Sequence, residues 1–295
     1  MRSRGERKIL ITGSQGMLAT DCAQVAAAAG YRVVGYSHHQ LDITDIAQMR
    51  QCLETERPAV VLNTPGLLVD YCEQHPEEGS RLHAWAPQQM AHVCERLGAV
   101  FIYISTCGLF GDEVKLWSED DAVVLKTQYA RSKYLGEQAV LAACSRALVI
   151  RPGWLFGGLP SHRKNFVYQR YLEAQETRVL RSVNDKYGSP TYTEDLALKL
   201  LELLETETYG TYHVTNAGGG SRYEYVKCIV EAFGLKTVVE PVDSSNFPRS
   251  APVPACEQLE NRNLRFAGLQ LLGSWQEAIH RYVAHQLKVG VSSWT

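Results

Sequence analysis

A short apolar run, Lys8-Ile9-Leu10-Ile11-Thr12, breaks at Gly13-Ser14-Gln15-Gly16 and passes at once into a helical pattern, Met17-Leu18-Ala19 through Ala29. The run is too short for a helix and rich in β-branched residues, so it reads as a strand. Gly30 stands where the end of a helix favours a left-handed residue. Strand, glycine turn and helix together predict the start of a doubly wound α/β sheet. In such a unit the backbone N–H groups of the turn and the helix N-terminus face a pyrophosphate. Ala19 takes the third glycine position, which governs helix–strand packing. The pattern assigns cofactor contacts to Gly13, Gln15, Gly16, Met17 and Leu18; the plainer alternative is a tight turn that binds nothing.

The alternation continues. Tyr31 to Tyr36 reads as a second strand, followed by Ser37-His38-His39. An acid at that point would grip a ribose 2′-OH and repel a 2′-phosphate. None is present, which tilts the choice to NADPH, with NADH as the alternative, and places Ser37 and His38 near the nucleotide. Leu41-Asp42-Ile43 reads as a short strand-like piece whose Asp42 meets the adenine, and Thr44 opens a helix running to Glu56. Ala59 to Asn63 is an apolar strand ending in Asn63-Thr64-Pro65-Gly66, small residues suited to close approach of a cofactor. Leu82 through Leu97 is helical in period and capped by Gly98. Val100 to Ile104 is a further buried strand that delivers Ser105 and Thr106. Strands alternating with helices at this spacing predict a Rossmann-type parallel sheet with helices on both faces. Right-handed crossovers then bring every one of these strand ends to one edge.

Thr127-Gln128-Tyr129-Ala130-Arg131-Ser132-Lys133 supplies the chemistry. A Tyr and a Lys four apart lie one turn from each other on one helix face. A free phenol has a pKa near ~10, so a neighbouring ammonium is a physical way to tune it. The Thr106 hydroxyl on the same sheet edge would hold a carbonyl between the two groups. Alone, Tyr-x-x-x-Lys is an ordinary surface helix face; its convergence with the glycine turn makes it a candidate site.

These residues resemble the extended short-chain dehydrogenases/reductases, and within them the reductases of 4-keto-6-deoxy nucleotide sugars. The resemblance covers nearly the whole chain. It rests on Gly13-x-x-Gly16, Leu41-Asp42-Ile43-Thr44-Asp45, Ile104-Ser105-Thr106, Tyr129-x-x-Ser132-Lys133-x-x-Gly136-Glu137, Arg151-x-x-Trp154 and Gly188-Ser189-Pro190-Thr191-Tyr192-x-x-Asp195-Leu196. It implies hydride transfer from a nicotinamide cofactor to the keto carbon. Tyr129 would give a proton to the nascent alkoxide, Lys133 would lower the phenol pKa and hold the nicotinamide ribose, and Thr106 would donate to the substrate oxygen. Trp154 would wall the sugar pocket.

The departures from the family pattern cluster near this site. Cys107-Gly108 replace Asp-Tyr, Thr64-Pro65-Gly66 replace an Ala-Ala run, and Leu82-His83-Ala84 replace Val-Asn-Ala. Val253-Pro254-Ala255-Cys256-Glu257 stand for Arg-Pro-x-Asn-Ser. They leave open a different sugar or carrier nucleotide, and two further readings. One is an epimerase or dehydratase, for which Cys107 holds a useful position but no Glu stands there. The other is a regulatory or binding subunit that keeps the fold without the chemistry.

In the C-terminal half, Gly157-Gly158-Leu159-Pro160 opens a basic stretch, Ser161 to Asn165, which suits either a diphosphate or a solvated loop. Phe166 to Ala174 reads as helix and Arg178 to Val183 as strand. Thr193 is expected to cap a helix from Glu194 to Glu205. Thr211 to Asn216 reads as the last sheet strand, and Gly218 to Ser221 as a linker into a helix from Tyr223 to Phe233. Asn246 to Pro254 is a loop; its Arg249 is a candidate to line the nucleotide pocket, and the plainer alternative is a surface loop. The final helix, Ser274 to Leu287, carries Trp275, Ala278, Ile279, Tyr282 and Val283 on one face, a core stripe. These readings divide the chain into a Rossmann domain, 1–156 with a return segment near 184–216, and a smaller substrate lobe, 157–183 with 217–295. The active cleft is expected between them.

The 295 residues carry a formal net charge of -2, which gives no reason to expect nucleic acid or an anionic membrane as partner. Eight cysteines stand singly, with no C-x-x-C pair and no metal-ligand spacing. Met1 to Arg7 is polar and basic without an apolar core, and no stretch reaches ~18 apolar residues. A cytoplasmic enzyme is expected, with a nucleotide sugar as its substrate and a homodimer left open.

Overall fold

Six strands form one parallel sheet, in the order Gly210–His213, Ala147–Arg151, Val100–Ile104, Val60–Asn63, Lys8–Thr12 and Arg32–Tyr36. A computed structural model describes residues 7–289. The polar N-terminal stretch read above lies, apart from Arg7, outside the described residues. Strand order reverses between Lys8–Thr12 and Val60–Asn63, whose last residues Thr12 and Asn63 are partners in register. A doubly wound sheet opens its ligand crevice at this reversal, outside the strands' carboxyl ends.

The three central strands Val60–Asn63, Val100–Ile104 and Ala147–Arg151 are buried at every position, as helices on both faces require. Alternate side chains serve opposite cores. Ile9, Ile11, Leu62, Ile102 and Ile150 pack with helices Met17–Ala28 and Thr193–Thr206. Leu10, Val61, Phe101, Tyr103 and Val149 pack with Met49, Leu53 and Met90 of helices Ile46–Glu56 and Ala86–Leu97. A separate aromatic core holds Phe156, Tyr192, Tyr225, Trp275, Ile279, Tyr282 and Val283. The apolar stripe of the last helix, Trp275–Val289, lies in that core, as its period predicts. Among the described residues no helix is long and apolar enough to cross a membrane.

Five local expectations are corrected. Leu41-Asp42-Ile43 is not a strand. Leu41 and Ile43 are buried anchors on either side of a turn in which the Asp42 carboxylate accepts from the Thr44 N–H (2.9 Å) and hydroxyl (2.8 Å). The next helix starts at Ile46, capped by Asp45, whose carboxylate accepts from the Gln48 N–H at 3.1 Å. The helix expected from Leu82 begins at Ala86 and is preceded by a π turn, Arg81–Trp85, and by the short helices Val69–Gln74 and Pro76–Ser80. Thr193 does not cap its helix, because its hydroxyl donates to the Phe156 carbonyl (3.1 Å) and to the Asp21 carboxylate. The last sheet strand ends at His213 rather than Asn216. Asn216 instead accepts from the Tyr192 N–H at 2.8 Å and donates to Asp195 at 2.7 Å.

Candidate active site

Helix Gln128–Ala143 begins at Thr127, whose hydroxyl oxygen accepts from the Ala130 N–H at 3.0 Å. That cap fixes the first turn, so Tyr129 and Lys133 face the sheet edge together. Lys133 is 3% exposed, and its Nζ donates to the carbonyl of Ile104, the last residue of its strand, at 2.9 Å. Burial lowers its pKa to about 8. Burial pushes the Tyr129 phenol up, and the hydrogen bond with the Thr106 side chain pulls the other way. The phenol thus stays protonated at neutral pH and is held beside the Thr106 hydroxyl, with Lys133 lining the same groove.

The helix face behind Tyr129 is fastened by His83. Its Nε2 accepts from the Leu67 N–H at 3.1 Å, which assigns the ring proton to Nδ1, 2.8 Å from Ser132 Oγ. The Ser132 hydroxyl in turn donates to the Tyr129 carbonyl at 2.9 Å. Burial, with the Lys133 and Lys164 charges, lowers the His83 pKa to about 2, so the ring is neutral. Its carbonyl accepts from the Tyr103 hydroxyl at 2.7 Å. The histidine sits in the π turn where the resemblance has an asparagine.

Two cavities meet at these groups. A groove of about 300 Å³ runs from Gly16, Met17 and Leu18 past Thr64 to Lys133, Tyr129 and Thr106. Gly13 forms the turn at φ +70°, and a Cβ there would lie 2.8 Å from Thr64 Oγ1. The Thr64 hydroxyl donates to the Thr12 carbonyl at 2.7 Å, and Thr12 donates to Asn63 Oδ1 at 2.9 Å, which knits the two strand ends at the sheet's reversal. Pro65 packs against Gly13, and Gln15 is exposed at the tip of the turn. A larger cavity of about 540 Å³ is lined by Thr106, Cys107, Gly108, Tyr129, Trp154 and Arg249. Thr106 and Tyr129 line both, so their hydroxyls stand at the boundary.

The remaining sequence-derived residues lie outside the groove lining. Ser37 is buried and donates to Gln40 at 2.9 Å, His38 is exposed, the Asp42 carboxylate is engaged by Thr44, and the Ile43 side chain is in the core. Cys107 is buried, and burial holds its thiol well above the ordinary range, which removes it as a base at neutral pH.

The family model described as the RmlD substrate binding domain matches residues 7–288. The chain belongs to the RmlD family. The family lies within the extended short-chain dehydrogenases/reductases, NAD(P)-dependent oxidoreductases with this doubly wound sheet. The dTDP-4-dehydrorhamnose reductase of Mycobacterium tuberculosis is 36% identical over 288 residues, 95% of this chain and 93% of that protein. The spore coat polysaccharide biosynthesis protein SpsK of Bacillus subtilis is 32% identical over 278 residues, 94% of this chain and 96% of that protein. The solved dTDP-4-dehydrorhamnose reductase of Bacillus anthracis, in complex with NADP, superposes with a TM-score of 0.90 at 30% identity, covering 95% of this chain and 99% of that one.

Three groups in this RmlD-family site escape a reading by sequence. Lys164 lines the smaller groove, with Nζ 3.5 Å from the Gly66 carbonyl; its only signal is the basic stretch after Pro160. Arg222 starts a helix behind the capping box Ser221/Glu224 and stacks its guanidinium 3.4 Å above the Trp154 ring. Glu257, which sequence treats only as a departure from a motif, accepts from Trp154 Nε1 at 2.7 Å. Both line the larger cavity.

Proposed function

We propose that this chain reduces the 4-keto group of a 4-keto-6-deoxy nucleotide sugar with NADPH, Tyr129 acting as the general acid. The observation that carries the reading is the position of the Thr106 and Tyr129 hydroxyls on the boundary between the two cavities, with Lys133 behind them in the smaller one. The names of the reductase relatives and the NADP complex of the Bacillus anthracis protein support it.

A dinucleotide fits the smaller groove on two counts. Helix Met17–Ala28 starts at Gly16 with no side-chain cap, which leaves its first N–H groups for a phosphate. Gly13, at φ +70° and packed against Thr64 and Pro65, gives the tight turn that leads into that helix start. When bound there, a reduced nicotinamide supplies hydride to the carbonyl carbon. Thr106 donates to the substrate oxygen, and Tyr129 passes its phenolic proton to that oxygen as the charge develops. The Lys133 ammonium stabilises the phenolate left behind and offers its remaining protons to the ribose. On the substrate side, residues 217–295 contribute Arg222, Arg249 and Glu257, the share of the site we assign to the smaller lobe. Arg222 is suited to the diphosphate, because its guanidinium makes no ion pair among the described residues.

Tyr129→Phe tests the reading. Keto-sugar-dependent oxidation of NADPH should fall roughly 10²–10⁴-fold, while NADPH binding, followed by fluorescence, stays at the wild-type level. Turnover like the wild type in that variant removes Tyr129 as the acid.

A further inference from the structure

The larger cavity holds a carboxylate that the reduction itself leaves unused. Glu257 ends the strand Cys256–Glu257, which pairs in parallel with Tyr187–Gly188. One of its oxygens, Oε2, is taken by Trp154 Nε1 at 2.7 Å. Oε1 has no hydrogen-bond partner among the described residues and faces Gly108. A Cβ on Gly108 would lie 3.0 Å from Glu257 Oε1 and 3.5 Å from Thr106 Oγ1, so the carboxylate oxygen and the hydroxyl flank one spot. Gly108 has no positive φ that would demand a glycine. What its missing side chain provides is the space between these two oxygens.

The indole that holds the carboxylate is itself closely packed. A Cβ on Gly188 would lie 2.2 Å from Trp154 Cε2, so the indole rests directly on the backbone of the neighbouring strand. The Arg222 guanidinium stacks on the ring, 3.4 Å from its centroid. Packed against both groups, the indole directs its N–H to Glu257. Arg222 balances the negative charge nearby. A carboxylate accepts and cannot donate, and Oε1, on the wall of the open cavity, is free to take a donor from a ligand. In a pocket that takes a sugar, the donor at hand is a hydroxyl.

We propose that Glu257 reads the sugar: Oε1 accepts a hydrogen bond from the hydroxyl on the ring carbon next to the carbonyl that Thr106 and Tyr129 hold. The inference rests on the ketoreductase reading and narrows its substrate class. In a 4-keto-6-deoxy hexose the carbons beside C4 are C3 and C5, and C5 carries the methyl group. The recognised group is therefore the 3-hydroxyl, and sugars deoxygenated at C3 are discriminated against.

The test compares dTDP-4-dehydrorhamnose, the sugar named for the reductase relatives, with its 3-deoxy analogue on the wild type, Glu257→Ala and Glu257→Gln. A site built to bond a hydroxyl rejects the analogue that lacks it by a large factor, so the wild type should prefer the 3-hydroxy sugar at least about a hundredfold in kcat/KM. Glu257→Ala should reduce that preference to within about tenfold, and Glu257→Gln, which keeps an acceptor oxygen, should retain part of it. NADPH affinity should be unchanged in both variants, which also reports that they fold. An undiminished preference in Glu257→Ala overturns the assignment. Should the wild type reduce neither sugar, the ketoreductase reading falls. Calorimetric affinities for the two nucleotide sugars then decide Glu257 alone: a wild-type preference abolished by Glu257→Ala upholds it, and equal wild-type affinities overturn it.

Discussion

Arg151 grips Glu137 through two parallel hydrogen bonds, Nε to Oε1 at 2.9 Å and Nη2 to Oε2 at 2.6 Å. Glu137 lies one turn beyond Lys133 on the same helix, and its Oε1 also accepts from Ser105 Oγ at 2.5 Å. One buried carboxylate thus sets the register of the helix carrying Tyr129, the strand end carrying Thr106 and the adjacent strand Ala147–Arg151. Removing either partner leaves an uncompensated buried charge, which costs roughly 3–5 kcal/mol. Glu137→Leu and Arg151→Met should each lower the urea midpoint accordingly. The double variant leaves no buried charge and should be more stable than Arg151→Met alone. A strictly additive double-mutant cycle would show that the pair does not act as a unit.

Lys133 titrates where activity can report it. Its folded pKa of about 8 lies below the 10.5 of a free lysine because burial disfavours the ammonium. Between these two values the unfolded chain binds more protons, so this group makes stability rise with pH across that interval. Function runs the other way, since the ammonium is the useful form. NADPH affinity measured on the free protein should weaken above pH 8, approaching about tenfold per unit where binding requires the proton. Lys133→Met should abolish that slope as well as weaken binding. A wild-type profile that stays flat to pH 10 would contradict the assignment of the ammonium to the cofactor side.

How much of this was legible follows from how local each pattern is. The glycine turn and the Tyr129/Lys133 spacing are written within single elements, and parallel topology alone carries Thr106 to them. Arg222 and Glu257 reach the pocket from segments far along the chain, and no spacing links them to Trp154. Glu257 becomes interpretable only beside the empty space at Gly108. Leu41-Asp42-Ile43 misleads because two buried anchors around an Asp have the same alternation as a strand, while the Asp42–Thr44 bonds that make it a turn are equally available to loops. Thr193 reads as a cap, and only tertiary packing shows its hydroxyl diverted to Asp21.

Gly136 faces the chain around His83 with no room for a side chain. A Cβ there would lie 2.0 Å from the His83 carbonyl oxygen and 2.6 Å from the Tyr103 hydroxyl. The obstacle is backbone on one side, so relief requires the catalytic helix and the π turn to separate. Such separation would stretch the Ser132–His83 bond and the Tyr103–His83 bond together. Gly136→Ala, normally favourable by about 1 kcal/mol in a helix, should instead destabilise by roughly 1–3 kcal/mol. It should also lower kcat. A thermal scan and one rate measurement check both, and an alanine variant as stable as the wild type would refute this close packing.

The loop from 246 to 254 is tied down at Asp70 and by Lys186, whose Nζ donates to the Val253 carbonyl at 3.3 Å. Asp70, on helix Val69–Gln74, accepts from Arg249 Nη2 (2.5 Å) and Nε (3.2 Å), from Ser250 Oγ (3.1 Å) and from the Ala251 N–H (3.1 Å). Arg249 and Phe247 of this loop line the larger cavity, and so does Val69 beside Asp70. The Arg249 guanidinium lowers the Asp70 pKa to about 2, from 3.8. Because the folded value is the lower one, the latch is complete above pH 3.8 and lost only as pH falls toward 2, leaving it insensitive to pH near neutrality. Both side chains are well exposed, so Asp70→Asn should change stability by less than about 1 kcal/mol. Its effect should fall on the substrate, raising KM for the nucleotide sugar several-fold while NADPH affinity holds. Proteolytic cleavage within 246–254 should quicken in the same variant. A raised KM without faster cleavage would mean that Asp70 acts on the ligand through charge rather than by holding the loop.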